Sequence, residues 1–120
     1  MADTALFIGW GYPHPGREEK AILVLNESIQ YWKQLQQRGD IESFEVAMLE
    51  LRAGDLGGFA LLRGSREKLA ALRAAPEFQR ELMRASLVTQ HMDVVEASLG
   101  EQVLQMATMY QADMAELITS

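Results

Sequence analysis

Apolar residues recur at every second position in four segments of the chain and at every third or fourth position in three others. The extended segments cover residues 4–12, 41–52, 58–64 and 92–99, and the helical segments cover residues 16–38, 65–90 and 101–118. The resulting order is strand, helix, strand, strand, helix, strand, with a helix at the end. It predicts an α+β protein with a four-stranded antiparallel sheet that carries helices on one face. We expect one domain over residues 1–120, with a core at 4–99 and a C-terminal helix at 101–118.

Local signals mark the ends of several of these elements. Gly39 follows the first helical segment, where a glycine is typical just beyond the last turn, and Ser65 is a suitable N-cap for the second. Pro76 is expected to break or kink that second helix, because proline lacks the amide donor. The glycine-rich residues 53–58 predict the loop of a hairpin between the second and third strands.

The second predicted strand is apolar on both of its faces. Phe44, Val46 and Met48 alternate with Ala47, Leu49 and Leu51. The helices can cover only one face of the sheet, and a face that meets water should be polar. We therefore expect a homodimer in which two sheets face each other. An apolar stripe on the C-terminal helix leaves an alternative open: this helix covers the face within one chain, or it packs against the partner subunit. The stripe consists of Val103, Met106, Tyr110, Met114 and Leu117.

Composition narrows the classes of function. The formal net charge of −6 and the absence of a cluster of basic residues argue against a nucleic-acid partner. The absence of cysteine excludes disulfides, thiolate catalysis and cysteine-ligated metals. The apolar run at residues 5–10 is too short for a membrane span and has no basic residues before it. We predict a cytoplasmic protein with no membrane partner.

Two short segments, together with the element order over residues 4–99, carry a resemblance to a known family. They are the hairpin Gly54-Asp55-Leu56-Gly57-Gly58 and the helical segment Ala75-Pro76-Glu77-Phe78-Gln79. The chain resembles the dimeric α/β barrel superfamily, whose subunits are ferredoxin-like and which includes small antibiotic-biosynthesis-type monooxygenases. The resemblance implies a pocket between sheet and helices in each subunit. It does not imply one activity, because this fold carries monooxygenases, isomerases, haem enzymes and ligand-binding modules.

The catalytic set of the haem-degrading members of that superfamily is absent. Those members use an asparagine on the first strand, a tryptophan after the third strand and a histidine in the second helix. The only asparagine here, Asn26, lies in the first helical segment, and residues 64–66 contain no tryptophan. The second helix carries Arg80 and Arg84 where a histidine would be sought. We expect no haem and no other cofactor.

The two histidines are the weak candidates for catalysis. His14 lies in the loop after the first strand, and loops at strand ends often form sites. His91 precedes the last strand and is two residues from Asp93, which loosely matches relatives with a His–Asp dyad. Each has a structural alternative, a turn histidine in solvent for His14 and an interface histidine for His91. Their spacing matches no metal-binding pattern, so we expect no metal site.

Five residues form the predicted ligand-binding set. They are Trp10, Tyr12, His14, Phe59 and Arg63. The aromatic residues have the alternative of lying in the core or in a dimer interface. An inward-pointing Arg63 would need a carboxylate partner or an anionic ligand, and otherwise it points to solvent.

The sequence therefore supports two hypotheses about function. The first is a homodimeric α/β-barrel protein with a small apolar pocket and no recognisable catalytic set, which binds a small apolar or aromatic ligand. The alternative is a cofactor-independent monooxygenase or isomerase that acts on a small aromatic or polyketide-like substrate. In the alternative, Trp10, Tyr12, His14 and His91 would take part in proton transfer. Whether the protein is an enzyme stays open at this point.

Overall fold

The computed structural model describes residues 3–119 and confirms the predicted α+β class and its four-stranded antiparallel sheet. The elements are β1 (Thr4–Trp10), α1 (Glu18–Arg38), β2 (Ser43–Met48), β3 (Gly58–Arg63), α2 (Arg66–Ala74), α3 (Pro76–Val88), β4 (Asp93–Ser98) and α4 (Glu101–Thr119). The strands lie in the order β2-β3-β1-β4, and every neighbouring pair is antiparallel. The two central strands are therefore the first and the third along the chain.

Proline and a helix cap divide the second helical segment as the sequence predicts. Ala75 has extended backbone angles, φ −71° and ψ 134°, and it separates α2 from α3, which begins at Pro76. The Oγ of Ser65 accepts a hydrogen bond from the Lys68 amide at 3.2 Å. Gly39 follows α1 in the left-handed region at φ 80°, as expected for a residue just beyond a helix.

The second strand is shorter than its apolar pattern predicted. The pattern covers residues 41–52, whereas β2 is Ser43–Met48. Leu49 still pairs through its amide with the Gly57 carbonyl at 2.9 Å, but the chain then leaves the sheet. Leu49 and Leu51 consequently belong to the loop and line a cavity beside the sheet. Their apolar character reflects that cavity and not a second apolar strand face.

The core lies between the helices and the face of the sheet that we call the inner face. Its members come from β1 and β3 on the sheet side and from α1, α2 and α3 on the helix side. They include Leu6, Ile8, Trp10, Ala60, Leu62, Trp32, Leu35, Leu69, Leu72 and Phe78, each at most 9% exposed. Side chains alternate between the faces of a strand, so the neighbours of these strand residues point to the opposite, outer face.

The outer face carries an apolar patch on three of the four strands, β1, β3 and β4. We call Phe7, Phe59, Leu61 and Val95 the outer patch; the rings of Phe7 and Phe59 stack at a centroid distance of 5.4 Å. On β2 the same face presents Ser43, Glu45 and Ala47, paired with β3. The prediction of two apolar faces on the second strand is therefore wrong for β2. The apolar outer surface lies instead at the centre of the sheet and on β4.

The C-terminal helix does not cover this outer patch within the chain. Across residues 101–118 of α4 every residue is exposed apart from Gln102, which is half-buried. Its large apolar side chains, among them Met106, Met109 and Tyr110, are 40–76% exposed. The helix makes the molecule elongated, with extents of 55 × 37 × 24 Å.

Candidate functional site

A cavity of about 300 Å³ lies between the inner face of the sheet, α1 and α3. β1 contributes Ile8 and Trp10, α1 contributes Leu25 and Trp32, and α3 contributes Phe78 and Leu82. Three exposed apolar residues also line it: Ile22 at 62%, Met48 at 65% and Leu51 at 90% exposure. The cavity thus opens to solvent beside α1 and the loop after β2. Its volume is at the lower limit of those typical for small-molecule sites.

One charged side chain stands among the described residues that line this cavity. It is Glu81 on α3, and the Oγ of Ser28 on α1 donates a hydrogen bond to its Oε2 at 3.4 Å. Ser28 itself is only 8% exposed, so this hydroxyl lies within an otherwise apolar helix face. The Ser28–Glu81 pair places a polar group on a wall that is otherwise hydrocarbon.

Glu81 lies beside a second carboxyl group and an arginine, Glu27 and Arg84. Arg84 holds Glu27 through two hydrogen bonds of 2.7 and 2.9 Å, and this pairing lowers the pKa of Glu27. Burial raises the pKa of Glu81, and its hydrogen bond with Glu27 raises it further. Of the two carboxyls, Glu81 is therefore the one that retains a proton as the pH rises. Protonated, it can donate a hydrogen bond to a ligand; ionised, it can accept a proton.

The structure brings two of the five predicted ligand residues to this cavity. Trp10 and Tyr12 both line it. The ring of His14 lies elsewhere, with its Nε2 3.2 Å from the carbonyl oxygen of Ser86. His91 is also outside the lining; it has a positive φ of 57°, and its Nε2 is 3.7 Å from Oδ1 of Asp55. Its carboxylate neighbour is therefore Asp55 and not the Asp93 suggested by spacing.

Phe59 and Arg63 lie on the outer face, with the sheet between them and the cavity. Phe59 belongs to the outer patch. Arg63 donates to Oε1 of Glu45 at 2.8 Å, on the neighbouring strand. The carboxylate partner that an inward arginine would require is thus present, but on the face away from the cavity.

None of the ligand residues predicted from the sequence lies on the helix side of the cavity. Ser28 interrupts the apolar stripe of α1, and Glu81 lies three residues after the buried Phe78 on α3. A polar residue within an apolar helical stripe is the signal that could have identified both. The five predicted ligand residues come from strands and loops, so they include the sheet side of the cavity through Trp10 and Tyr12 but no residue of its helix side.

Residues 3–119 contain neither a cluster of metal-ligating side chains nor a helix suited to crossing a membrane. No group of three or more histidine, aspartate and glutamate side chains in this range could hold a metal ion. No helix in the same range is both long enough and apolar enough to cross a membrane.

Comparison with solved structures identifies the architecture. A dimeric ferredoxin-like protein of unknown function from Jannaschia sp. CCS1 matches with a TM-score of 0.62 and 14% identity, over 80% of this chain and 99% of that one. The chain has the ferredoxin-like fold. A dimeric protein of the same fold and of unknown function from Bacteroides fragilis matches with a TM-score of 0.59 and 11% identity, over 81% of this chain and 97% of that one.

A third ferredoxin-like neighbour is an enzyme. SnoaB, a cofactor-independent oxygenase from Streptomyces nogalater, matches with a TM-score of 0.56 and 13% identity, over 82% of this chain and 95% of that one. No protein-family model and no curated protein matches the sequence. The comparisons confirm the fold implied by the family resemblance. The three matches cover 80–82% of this chain.

Proposed function

We propose that the protein is a homodimer whose subunits each bind a small, largely apolar or aromatic ligand in the cavity between sheet and helices. The observation that carries this proposal is the lining of the cavity, which is hydrocarbon and aromatic apart from a few polar groups. Such a lining favours an apolar ligand, and a small number of polar contacts fixes its orientation. Glu81 and Ser28 would supply these contacts, with the rings of Trp10 and Tyr12 on the opposite side.

The outer patch supports the homodimer. A contiguous apolar surface on the outer face is unfavourable in water, and a second copy related by a two-fold axis covers it with the same residues. Both the Jannaschia and the Bacteroides neighbours are described as dimeric. In such a dimer the outer patch is buried, while the cavity lies on the other side of each sheet and stays accessible.

A neutral fluorescent probe tests the ligand site. N-phenyl-1-naphthylamine is apolar, is small enough for the cavity and becomes brighter when it leaves water. We expect saturable binding to the protein and its loss in Ala85→Phe, because Ala85 lines the cavity and the added ring would fill it. Ala71→Phe is the matched control, since Ala71 is exposed on α2 and is not part of the lining.

The two variants also define the results that would contradict the site. Equal binding by Ala85→Phe and the unsubstituted protein would place the probe elsewhere. An equal loss in Ala71→Phe and Ala85→Phe would point to a general effect of the added ring. Circular dichroism of both variants checks that the fold is retained.

Glu81 supports a second candidate, a cofactor-independent oxygenase or isomerase. Its pKa is raised by burial, which brings a carboxyl closer to the working range of a general base. In this proposal the ionised Glu81 removes an acidic proton from an aromatic substrate held against Trp10. The resulting carbanion either takes the proton back at another carbon, which is isomerisation, or reacts with molecular oxygen.

Anthrone is a suitable test substrate because the loss of its methylene proton gives an aromatic phenolate. Anthrone and one O₂ give anthraquinone and one water, so the atoms balance without a further oxidant. We expect protein-dependent oxygen uptake that rises with pH as Glu81 ionises and that falls at least about tenfold in Glu81→Gln. His14→Ala should keep its rate, because the His14 ring lies outside the cavity. A loss of turnover in His14→Ala alone would instead support the histidine predicted from the sequence.

A further inference from the structure

Within residues 101–118, every residue of α4 is exposed except Gln102, which is half-buried and accepts a hydrogen bond from Arg66. In proteins most helical stability comes from packing of an apolar face and not from intrinsic propensity. Yet Val103, Met106 and Tyr110, which lie on one side of α4, are 49%, 55% and 66% exposed. Three exposed apolar residues on one side of a helix indicate that this side packs against another surface.

The charge of α4 restricts what that surface can be. Residues 101–119 contain three acidic residues, Glu101, Asp113 and Glu116, and no lysine or arginine. Amphipathic helices that bind anionic membranes carry lysine and arginine on their polar face. Pairing α4 with a second α4 would bring together two acidic helices. A basic groove with an apolar floor is the complementary partner.

The described part of the chain contains a groove of this kind, between the start of α1 and the end of α3. Val24 and Val88 form its buried floor, at 9% and 7% exposure. Leu23 and Leu87 line it and are 67% and 58% exposed. Its remaining lining residues are Arg17, Lys20 and Arg84.

Three of the groove's lining residues are basic and none is acidic, in a protein whose net charge is −6. Arg84 is paired with Glu27, and Arg17 donates to the carbonyl oxygen of Leu87, which does not neutralise its charge. Glu18 and Glu19 stand between Arg17 and Lys20 in the sequence but do not line the groove, and Glu18 accepts a hydrogen bond from the amide of Gly16 at 3.2 Å. We call the surface formed by Arg17, Lys20, Leu23, Val24, Arg84, Leu87 and Val88 the basic groove.

We propose that α4 of one subunit docks into the basic groove of a second copy of this chain. The mode is an amphipathic helix in an apolar groove, with Asp113 and Glu116 of α4 facing Arg17 and Lys20 at the edge of the groove. A helix of 19 residues is about 28 Å long, which is enough to reach across to a neighbouring subunit.

The dimensions of the sheet give an independent reason for a second contact between subunits. Four strands about 4.8 Å apart and six residues long at about 3.3 Å each give the outer face a footprint of about 400 Å². Even when the uneven surface of the side chains is added, this footprint is small compared with the roughly 800 Å² per partner that a standard interface buries. Reciprocal docking of two α4 helices would supply the remaining area. The proposal does not depend on the ligand cavity, and it adds to the proposed sheet-to-sheet contact without requiring it.

The absence of cysteine from the chain permits a clean cross-linking test. One protein carries Leu23→Cys, and a second, size-tagged protein carries Met106→Cys or Tyr110→Cys. After the two are mixed and mildly oxidised, we expect a disulfide-linked heterodimer that denaturing gels resolve by mass. Gln105→Cys, on the polar side of α4, is the matched control and should cross-link at least about fivefold less.

Each other outcome overturns the proposal. Cross-links confined to Tyr110→Cys with itself would mean that α4 pairs with α4. Cross-links found only within a chain that carries both cysteines would mean that α4 folds back onto its own groove. Equal reaction of Gln105→Cys and Tyr110→Cys would mean random collision.

A charge-reversal pair checks the electrostatic part of the same proposal. Lys20→Glu in the groove protein should reduce the heterodimer yield at low salt, and Glu116→Lys in the α4 protein should restore it. A yield that is indifferent to both changes would contradict the acidic-to-basic contact. A substitution in the outer patch tests the sheet-to-sheet contact separately. Either of the two proposed interfaces can therefore be disproved without the other.

Discussion

Replacing Phe59 by aspartate should dissociate the proposed homodimer while leaving the subunit folded. Phe59 is half-buried in the single chain, where its ring stacks on Phe7 with a centroid distance of 5.4 Å. The exposed side of these rings is what a second copy would cover. Because the two-fold axis repeats the substitution, each dimer would bury two unpaired carboxylates.

The size of the effect follows from burial and desolvation. Full burial of a phenylalanine is worth about 1.5–3 kcal/mol, and at most about a third of it remains to be gained here because most of the Phe59 side chain is already buried. Leaving a polar group unsatisfied in an interface costs about a further 1–3 kcal/mol, and more for a charge. The loss is then about 2–4 kcal/mol per subunit and about 4–8 kcal/mol per dimer. At about 1.4 kcal/mol per decade, Kd should rise by about 10³-fold or more.

Sedimentation velocity over a range of protein concentrations measures this change directly. Ala71→Asp is the matched control, because it adds the same charge at an exposed position of α2 and should leave Kd unchanged. The reasoning is refuted if Phe59→Asp associates as strongly as Ala71→Asp. It is also refuted if the unsubstituted protein is already a monomer at micromolar concentration.

Three further predictions concern the subunit itself. Phe78→Ala should lower the free energy of unfolding by about 3–5 kcal/mol, since Phe78 is 1% exposed. Met83→Ala, at 66% exposure, should change it by less than about 0.5 kcal/mol. Urea titrations followed by tryptophan fluorescence measure both. Glu81→Gln should raise Tm more at pH 8 than at pH 4. Burial raises the pKa of Glu81, so its contribution to stability is present while it is protonated and is lost as pH rises through the raised value, whereas glutamine stays neutral. Gly58→Ala should destabilise the fold by about 1–3 kcal/mol and shift the tryptophan emission, because the new Cβ would lie 2.7 Å from Nε1 of Trp10.

The element order could be predicted from the sequence because each element has its own local signal. Pro76 and Ser65 mark helix boundaries by backbone chemistry that tertiary contacts do not override, and the structure has both boundaries as predicted. The length of β2 was overestimated for a physical reason. Leu49 and Leu51 continue the alternation of the strand, but they belong to the loop and line the cavity, and alternation alone cannot tell a strand face from such a loop.

The candidate site was harder to predict because a strand displays neighbouring residues on opposite faces. Trp10 and Phe59 looked equivalent in the sequence, as aromatics near strand ends, yet Trp10 lines the cavity and Phe59 belongs to the outer patch. In the register, Phe59 lies opposite Gly9 and Gly58 lies opposite Trp10. A one-residue step therefore moves an aromatic side chain from the cavity to the outer patch, and only the pairing of β1 with β3 decides between them.

That pairing also shows why a glycine accompanies an aromatic residue on each face of the sheet. On the inner face a Cβ at Gly58 would lie 2.7 Å from the Trp10 indole, so the missing side chain lets the indole lie across β3 and line the cavity. On the outer face a Cβ at Gly9 would lie 2.7 Å from the Phe7 ring, which occupies that space and stacks on Phe59. On each face of the sheet, a glycine thus provides the space that a neighbouring aromatic ring occupies. The cavity and the proposed interface are therefore built back to back, so a substitution at either glycine is expected to disturb the face on which its own side chain would project.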